Sequence, residues 1–189
     1  MHEQPRLVVI SGCSAGGKST LIQALAERGC AVAREPGRAI VEAEQARGGD
    51  ALPWRNPLAF LERCIDTALS DHRHALERGG VTFFDRSLID AASALMTLKP
   101  ERRPDLRDLV EAHPYHQLVF MAPPWPALWE RDSSRDDARR HTFADAKNEY
   151  DRLLHAYPAH GYRLALLPQV GVAERVQFVF DQLADAAVP

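Results

Sequence analysis

A glycine-rich loop near the start of the chain is the segment most specific for one kind of chemistry. Residues 12–20 read GCSAGGKST and match the pattern G-x-x-x-x-G-K-[S/T] at every fixed position. In such a loop the glycines let backbone N–H groups turn inward around phosphate oxygens, the lysine reaches the β- and γ-phosphates, and the serine hydroxyl is a Mg²⁺ ligand. We therefore expect ATP and Mg²⁺ to bind here. The expected contributors are Gly12, Ala15, Gly16, Gly17, Lys18, Ser19 and Thr20.

Two carboxylates, Glu35 and Asp85, follow later apolar segments and are candidates for catalysis and metal binding. Glu35 is expected close to the first strand, where it accepts a proton from a substrate hydroxyl or holds Mg²⁺ through water. Its structural alternative is an acid at a helix N-terminus. Asp85 closes the run VTFFD, which is typical of the second element of a nucleotide site, where an aspartate acts on Mg²⁺. Its structural alternative is a helix N-cap.

Arginines accompany these acids and suit the handling of anionic groups. Arg86 follows Asp85 at the position where a hydrolase or motor ATPase of the AAA type usually carries a water-activating glutamate. An arginine there favours a clamp on an anionic substrate or on the transferred phosphoryl group. Arg131 and Arg135 stand four residues apart and share one face of a helix. Residues 126–142 are thus expected to form an arginine-rich lid over the phosphates, although a solvated helix with surface ion pairs fits the same pattern.

Strands that alternate with helices must position these side chains. The continuous apolar run Arg6–Ser11 is rich in β-branched residues and predicts a buried parallel strand. Four more strands are expected at residues 30–33, 81–84, 117–121 and 162–167. Segments with helical spacing separate them, and the polar segment Lys99–Pro104, with its two prolines, is expected to be a surface excursion. The pattern predicts an α/β fold whose five-stranded parallel sheet has helices on both faces and binds ligands at the carboxyl ends of its strands.

Length and composition limit the number of domains and the classes of partner. The 189 residues, 46% of them hydrophobic, suit a single domain over residues 1–189. A net charge of −3 without a basic stripe argues against a nucleic-acid partner, and no apolar stretch is long enough to span a membrane. The N-terminal residues do not resemble a signal peptide, so we expect a cytoplasmic protein. The three cysteines are too far apart for a disulfide framework or a zinc site.

The order of several segments resembles one known family. GCSAGGKST, REPGRAI and FFDRSLID, followed by HQLVFMAPP and GYRLALLPQVGVAERVQFVF, are similar to the small AAA-domain P-loop proteins that group with the ribosylnicotinamide kinase domain. The EP and DRS elements also resemble the EP and ERS elements of deoxynucleoside kinases. The resemblance implies the P-loop NTPase fold of nucleoside and nucleotide kinases. It covers nearly the whole chain.

Roles for individual residues also follow from this resemblance. It implies that Glu35 is the base for the accepting hydroxyl, and that Asp85 and Arg86 act on metal and phosphates. The chain has DRS where deoxynucleoside kinases have ERS, so Asp85 remains an alternative base. The arginines of the lid would reach the phosphates, and the turn at residues 168–171, with Val170, would border the adenine.

Two functions are compatible with these residues. The first is an ATP- and Mg²⁺-dependent kinase that transfers the γ-phosphoryl group to a hydroxyl of a nucleoside-like or other small acceptor. The second is a regulatory ATPase or nucleotide switch that acts through a protein partner. No Asn/Thr-Lys-x-Asp element follows a strand, which argues against a guanine-specific switch. The expected partner is a small-molecule phosphoryl acceptor, and a homodimer is left open beside a monomer.

Overall fold

Five parallel strands form one sheet in the computed structural model of the chain, which describes residues 6–133 and 142–185. The strands are β1 (Arg6–Gly12), β2 (Ala31–Ala33), β3 (Val81–Asp85), β4 (Leu118–Ala122) and β5 (Arg163–Leu166). Their order in the sheet is β2-β3-β1-β4-β5, and every pairing is parallel. At the carboxyl end of β1, Ile10 lies opposite Asp85 on one side and Phe120 on the other. The expected parallel sheet of five strands is confirmed.

Helices connect the strands and cover both faces of the sheet. They are α1 (Lys18–Glu27), α2 (Pro36–Arg47), α3 (Pro57–Arg78), α4 (Leu88–Leu98), α5 (Arg103–Glu111), α6 (Pro126–Ser133), α7 (Phe143–Ala159) and α8 (Val172–Asp185). In the surface segment Lys99–Pro104 a 3₁₀ turn covers Pro100–Arg102, and α5 begins at Arg103. Pro104 is compatible with the first turn of a helix, where its missing N–H group has no intrahelical partner to lose.

Alternate residues of β1 face two separate cores. Leu7 and Val9 pack in the core beneath α3, α4, α5 and α7, whereas Val8 and Ile10 pack against α1 and α8 on the other face. All four side chains are buried, at 3% exposure or less. A strand that is buried on both sides must be apolar at every position, which explains the unbroken hydrophobic run in the sequence. None of the helices in the described ranges is both long and apolar enough to cross a membrane.

The sheet order places β3 between β1 and β2. Glu35 therefore follows a strand that is separated from β1 by one strand. The residues that follow β3, starting with Arg86, lie between the two. The side chain of Arg86, at the end of β3, binds both Glu35 and Ser14 of the glycine-rich loop and so links the two.

The turn from β1 into the glycine-rich loop depends on a residue without a side chain. Gly12 has a φ of +116°, and a Cβ atom built on it would lie 2.6 Å from the backbone nitrogen of Ala122 in β4. The N–H of Cys13 donates to the carbonyl of Ala122 at 2.9 Å, which holds the loop against this strand. Gly48, which follows α2, also has a positive φ of +67°, but a Cβ there would meet nothing within 4 Å.

Alanine substitutions at Gly12 and Gly48 distinguish the cost of steric overlap from the cost of a left-handed backbone. We expect Gly12→Ala to lower the free energy of unfolding by about 3–5 kcal/mol, because it combines an unfavourable φ with overlap against the β4 backbone. Gly48→Ala, the control, should lose only about 1 kcal/mol, since only the strain of a left-handed residue applies. Urea denaturation of both variants measures the difference. Equal losses would show that the loop can move away from β4 at little cost.

Candidate functional site

The glycine-rich loop lies at the carboxyl end of β1 and leads directly into α1. Its backbone turns through two left-handed residues, Ala15 with φ 57° and Gly17 with φ 76°, before the helix begins at Lys18. Ser19 and Thr20 lie in the first helical turn and are exposed. The residues expected to bind phosphates therefore form one continuous loop at a helix N-terminus, where unpaired N–H groups and the helix dipole favour an anion.

The ammonium group of Lys18 is folded onto this loop. Its Nζ donates to the carbonyl oxygens of Cys13 at 2.8 Å and Gly12 at 3.3 Å, and the residue is only 5% exposed. Burial lowers the pKa of Lys18 from its ordinary value, and the nearby cation Arg86 lowers it further, while Asp85 opposes the shift. A buried cation held by neutral carbonyl groups is well suited to exchange them for a phosphate anion.

Ser19 and Asp85 form the pair that fits a magnesium ion. The Ser19 hydroxyl donates to Oδ2 of Asp85 at 3.2 Å, and the carboxylate is 3% exposed. Burial raises the pKa of Asp85, and its second oxygen, Oδ1, is buried without a hydrogen-bond partner in the described part of the chain. A hydroxyl beside a carboxylate oxygen that accepts no hydrogen bond from the described residues is a typical pair of Mg²⁺ ligands, which phosphate oxygens complete. The residues present thus fit the expected ion.

Arg86 is the centre of the charged network, and its backbone is left-handed with φ 69°. Its Nε donates to Oε1 of Glu35 at 3.0 Å, and its side chain also pairs with Asp90 at 3.2 Å and Glu149 at 3.0 Å. A further N–H donates to the hydroxyl of Ser14 in the glycine-rich loop at 3.2 Å. Burial lowers the pKa of Arg86, but four carboxylates outweigh it and hold the pKa well above its ordinary value: Glu149, Glu35, Asp90 and Asp85.

The two acids that the sequence singled out stand differently relative to the helices that follow them. Glu35 occupies the N-cap position of α2 without a capping hydrogen bond from its side chain, which instead binds Arg86. Asp85 does not cap α4. The cap is Ser87, whose hydroxyl accepts from the N–H of Ile89. Glu35 does not touch the Ser19–Asp85 pair by a hydrogen bond, so its part in metal binding remains a prediction.

Asp90 on α4 forms an ion pair with Arg86 and was missed by sequence reasoning. Its Oδ1 accepts from Ser11 at 2.5 Å, and its Oδ2 accepts from the hydroxyl of Tyr157 at 2.6 Å and from the N–H of Ser87 at 2.9 Å. The spacing Ser87-x-x-Asp90 is that of a capping box and was visible in the sequence. What the spacing does not reveal is that the same carboxylate also fixes one side of the guanidinium.

Glu149 on α7 is the second missed residue. Its Oε2 accepts from the Ser14 hydroxyl at 3.1 Å and from Arg86 at 3.2 Å, so α7 is bonded directly to the glycine-rich loop. Burial raises its pKa, but the positive charges of Arg86, Lys18 and Arg152 outweigh this effect and lower the pKa below the ordinary value of 4.5. No local motif marks this glutamate, because all of its charged partners except Arg152 lie far away in the sequence.

The residues expected to close the site are only partly described. Arg131 lies on α6 with an exposed side chain, whereas Arg135 and the rest of the expected lid up to residue 141 fall outside the described residues. Val170 is 37% exposed in the turn between β5 and α8. The neighbouring Gln169 donates to the carbonyl of Pro124 at 2.7 Å, which joins this turn to the segment that follows β4.

Comparison with known proteins agrees with this arrangement. A family model described as an AAA domain matches residues 7–175. The chain belongs to this AAA domain family. The match includes the glycine-rich loop and the residues that follow β2, β3 and β4, and it ends within α8. No curated protein matches the sequence significantly.

Several solved structures share the fold at low sequence identity. Deoxyadenosine kinase from M. mycoides with bound dATP superposes with a TM-score of 0.69 at 12% identity, covering 95% of this chain and 99% of that one. NadR in complex with NR gives 0.66 at 20% identity, over 97% of this chain and 52% of NadR. Shikimate kinase from Acinetobacter baumannii in complex with shikimate gives 0.60 at 15% identity, over 100% and 97%. The fold is that of the P-loop kinases, as the sequence resemblance implied.

The lowered pKa of Glu149 predicts how its contribution to stability depends on pH. Because the folded state lowers this pKa, the ionised carboxylate stabilises the protein above pH 4.5, and the contribution is lost as the pH falls through the folded-state value. We expect Glu149→Gln to cost about 1–3 kcal/mol at pH 7. Towards the acid limit the cost should shrink, because a protonated glutamate is close to glutamine in shape and charge.

Urea denaturation of wild type and variant at pH 7 and at pH 4 measures this change. The control is Glu111→Gln, because Glu111 is exposed and only 4.0 Å from Arg107 on the same helix. Its cost should stay below about 0.5 kcal/mol at both pH values. If the loss of unfolding free energy in Glu149→Gln did not change with pH, Glu149 would stabilise the fold by its packing and not by its charge.

Proposed function

We propose that this protein is an ATP- and Mg²⁺-dependent kinase that transfers the γ-phosphoryl group to a hydroxyl of a small, nucleoside-like acceptor. The observation that carries the proposal is the pairing of Glu35 with Arg86. This pair joins a partly exposed carboxylate to the glycine-rich loop through Ser14, at the place where a water-activating glutamate would otherwise follow Asp85. An arginine there suits transfer to an acceptor better than hydrolysis.

The nucleotide half of the proposed site consists of the loop N–H groups, Lys18 and the Ser19–Asp85 pair. Lys18 would leave the carbonyl oxygens it now binds and contact the β- and γ-phosphates. Ser19 and Asp85 would hold Mg²⁺, which supplies positive charge to the phosphates when it is bound. The arginines of the lid, Arg131 and Arg135, are proposed to exclude water and face the transferred group.

The acceptor half of the proposed site begins at Glu35. Its Oε1 is engaged by Arg86, whereas its Oε2 has no hydrogen-bond partner among the described residues, and the side chain is 34% exposed. Oε2 can therefore accept the proton of an incoming hydroxyl. A fixed guanidinium on the other oxygen holds the carboxylate in one orientation, which favours attack from one direction.

An apolar wall next to Glu35 favours an acceptor that carries a ring. Gly37 lies so close to Phe60 that an added Cβ would be 3.3 Å from the ring, and 3.7 Å from Oε1 of Glu35. Burial, reinforced by Glu35, raises the pKa of the Cys64 thiol to about 12, so this nearby cysteine stays neutral. A neutral, partly aromatic surface beside a carboxylate suits a flat heterocycle joined to a hydroxyl-bearing sugar.

Replacement of the proposed base separates binding from transfer. Glu35→Gln keeps an oxygen that can accept from Arg86 but removes the proton acceptor, so MgATP affinity should change little. Transfer to the acceptor should fall by about 10²- to 10⁴-fold. Calorimetry measures the affinity, and ADP release over a panel of nucleosides and sugars measures transfer. Glu42→Gln, an exposed position on the same helix, is the control and should retain wild-type rates.

The same assays distinguish the kinase from its alternatives. Near-normal transfer by Glu35→Gln would move the role of base to Asp85. If the wild-type protein hydrolyses ATP without any acceptor, at a rate that a protein partner alters, the proposal fails in favour of a regulatory ATPase.

A further inference from the structure

Arg175 on α8 is a buried cation that no carboxylate of the described residues neutralises. The residue is only 3% exposed, and burial is the cause that lowers the pKa of its guanidinium. Its Nε has no hydrogen-bond partner within residues 6–133 and 142–185, and no carboxylate there forms an ion pair with it. An uncompensated buried charge is unfavourable, so a natural protein retains one where something else supplies the opposite charge.

The two ends of this guanidinium bind the outer side of the glycine-rich loop. One terminal nitrogen donates to the carbonyl of Gly16 at 3.1 Å and the other to the carbonyl of Gly17 at 3.3 Å. The approach is so close that a Cβ on Gly17 would lie 2.5 Å from Nη1, the nitrogen that donates to the carbonyl of Gly17. The guanidinium carbon is also 5.8 Å from the centre of the Trp125 ring.

These contacts act on the two peptide groups that join Gly16 to Gly17 and Gly17 to Lys18. The carbonyl end of each group binds Arg175, and the N–H end belongs to Gly17 or to Lys18. A positive charge at a carbonyl oxygen draws electron density from the amide and makes the N–H a stronger donor. It also fixes the plane of the peptide group, so that the N–H direction is set before a ligand arrives.

We propose that Arg175 is a positioning residue for the phosphates, acting through the N–H groups of Gly17 and Lys18. A polyphosphate bound on the inner side of the loop supplies a negative charge that none of the described carboxylates gives to this guanidinium. This inference deepens the proposed function and rests on it, since it requires that the loop binds a polyphosphate. It assigns to α8 a share in phosphate affinity that does not depend on the adenine base.

The experiment compares Mg-tripolyphosphate, MgATP and adenosine as ligands in calorimetric titrations. We expect Arg175→Gln to weaken tripolyphosphate and ATP binding by the same factor, about tenfold or more, and to leave adenosine binding unchanged. Arg175→Lys keeps the charge but not the two-pronged contact, and it should recover part of the loss. Gln177→Ala, at an exposed position on the same helix, is the control. Arg175→Met is prepared as a second neutral variant in case Arg175→Gln does not fold.

A spectroscopic measurement on the ligand-free protein tests the same idea directly. The amide proton resonances of Gly17 and Lys18 should move upfield in the neutral variants and stay nearer to wild type in Arg175→Lys. A purely structural role would not produce this ordering by charge.

Three results would overturn the inference. Equal tripolyphosphate affinity in wild type and a folded neutral variant would refute the role of Arg175 and leave the proposed kinase function standing. A loss confined to ATP would assign Arg175 to the base, through Trp125. Failure of the wild-type protein to bind either tripolyphosphate or ATP would refute the proposed function, and the inference with it.

Discussion

The guanidinium of Arg86 is the group around which the candidate site is built. It is almost buried, at 10% exposure of its side chain, and such a charge is tolerated only when carboxylates and hydrogen bonds surround it. Those partners come from the loop after β1, from the residue before α2, from α4 and from α7. The sheet order makes this geometry available, since β3 lies between β1 and β2 and delivers Arg86 to the middle of the carboxyl edge. One residue thereby fixes the relative positions of the proposed nucleotide and acceptor halves.

The glycine-rich loop is held from outside as well as by its own backbone. Cys13 bonds to β4, and Arg175 bonds to the two carbonyl groups that precede Lys18. Glycine is required where these supports approach most closely, at Gly12 and Gly17, and less so where it only ends a helix, as at Gly48. Contacts from β4 and α8 therefore hold the backbone of the loop in one conformation.

Sequence reasoning succeeded where the signal was local. The apolar run in β1, the glycine pattern of the loop and the acid at the end of β3 are each read within ten residues, and the structure places them as expected. It failed where partners are far apart along the chain. Nothing near Glu149 or Arg175 indicates that their contacts are Ser14 and Gly16, because those contacts arise only when α7 and α8 return to the sheet.

The distribution of the Arg86 network along the chain also has a consequence for biosynthesis. Its members lie between Ser11 and Tyr157, and the last carboxylate arrives with α7. During synthesis the emerging chain presents the glycine-rich loop early, but Arg86 has its full set of counter-charges only after more than sixty further residues have been added. Contacts with such long sequence separation form late in folding. Premature release of the chain before α7 would leave a partial sheet with a buried arginine that lacks one of its three carboxylates.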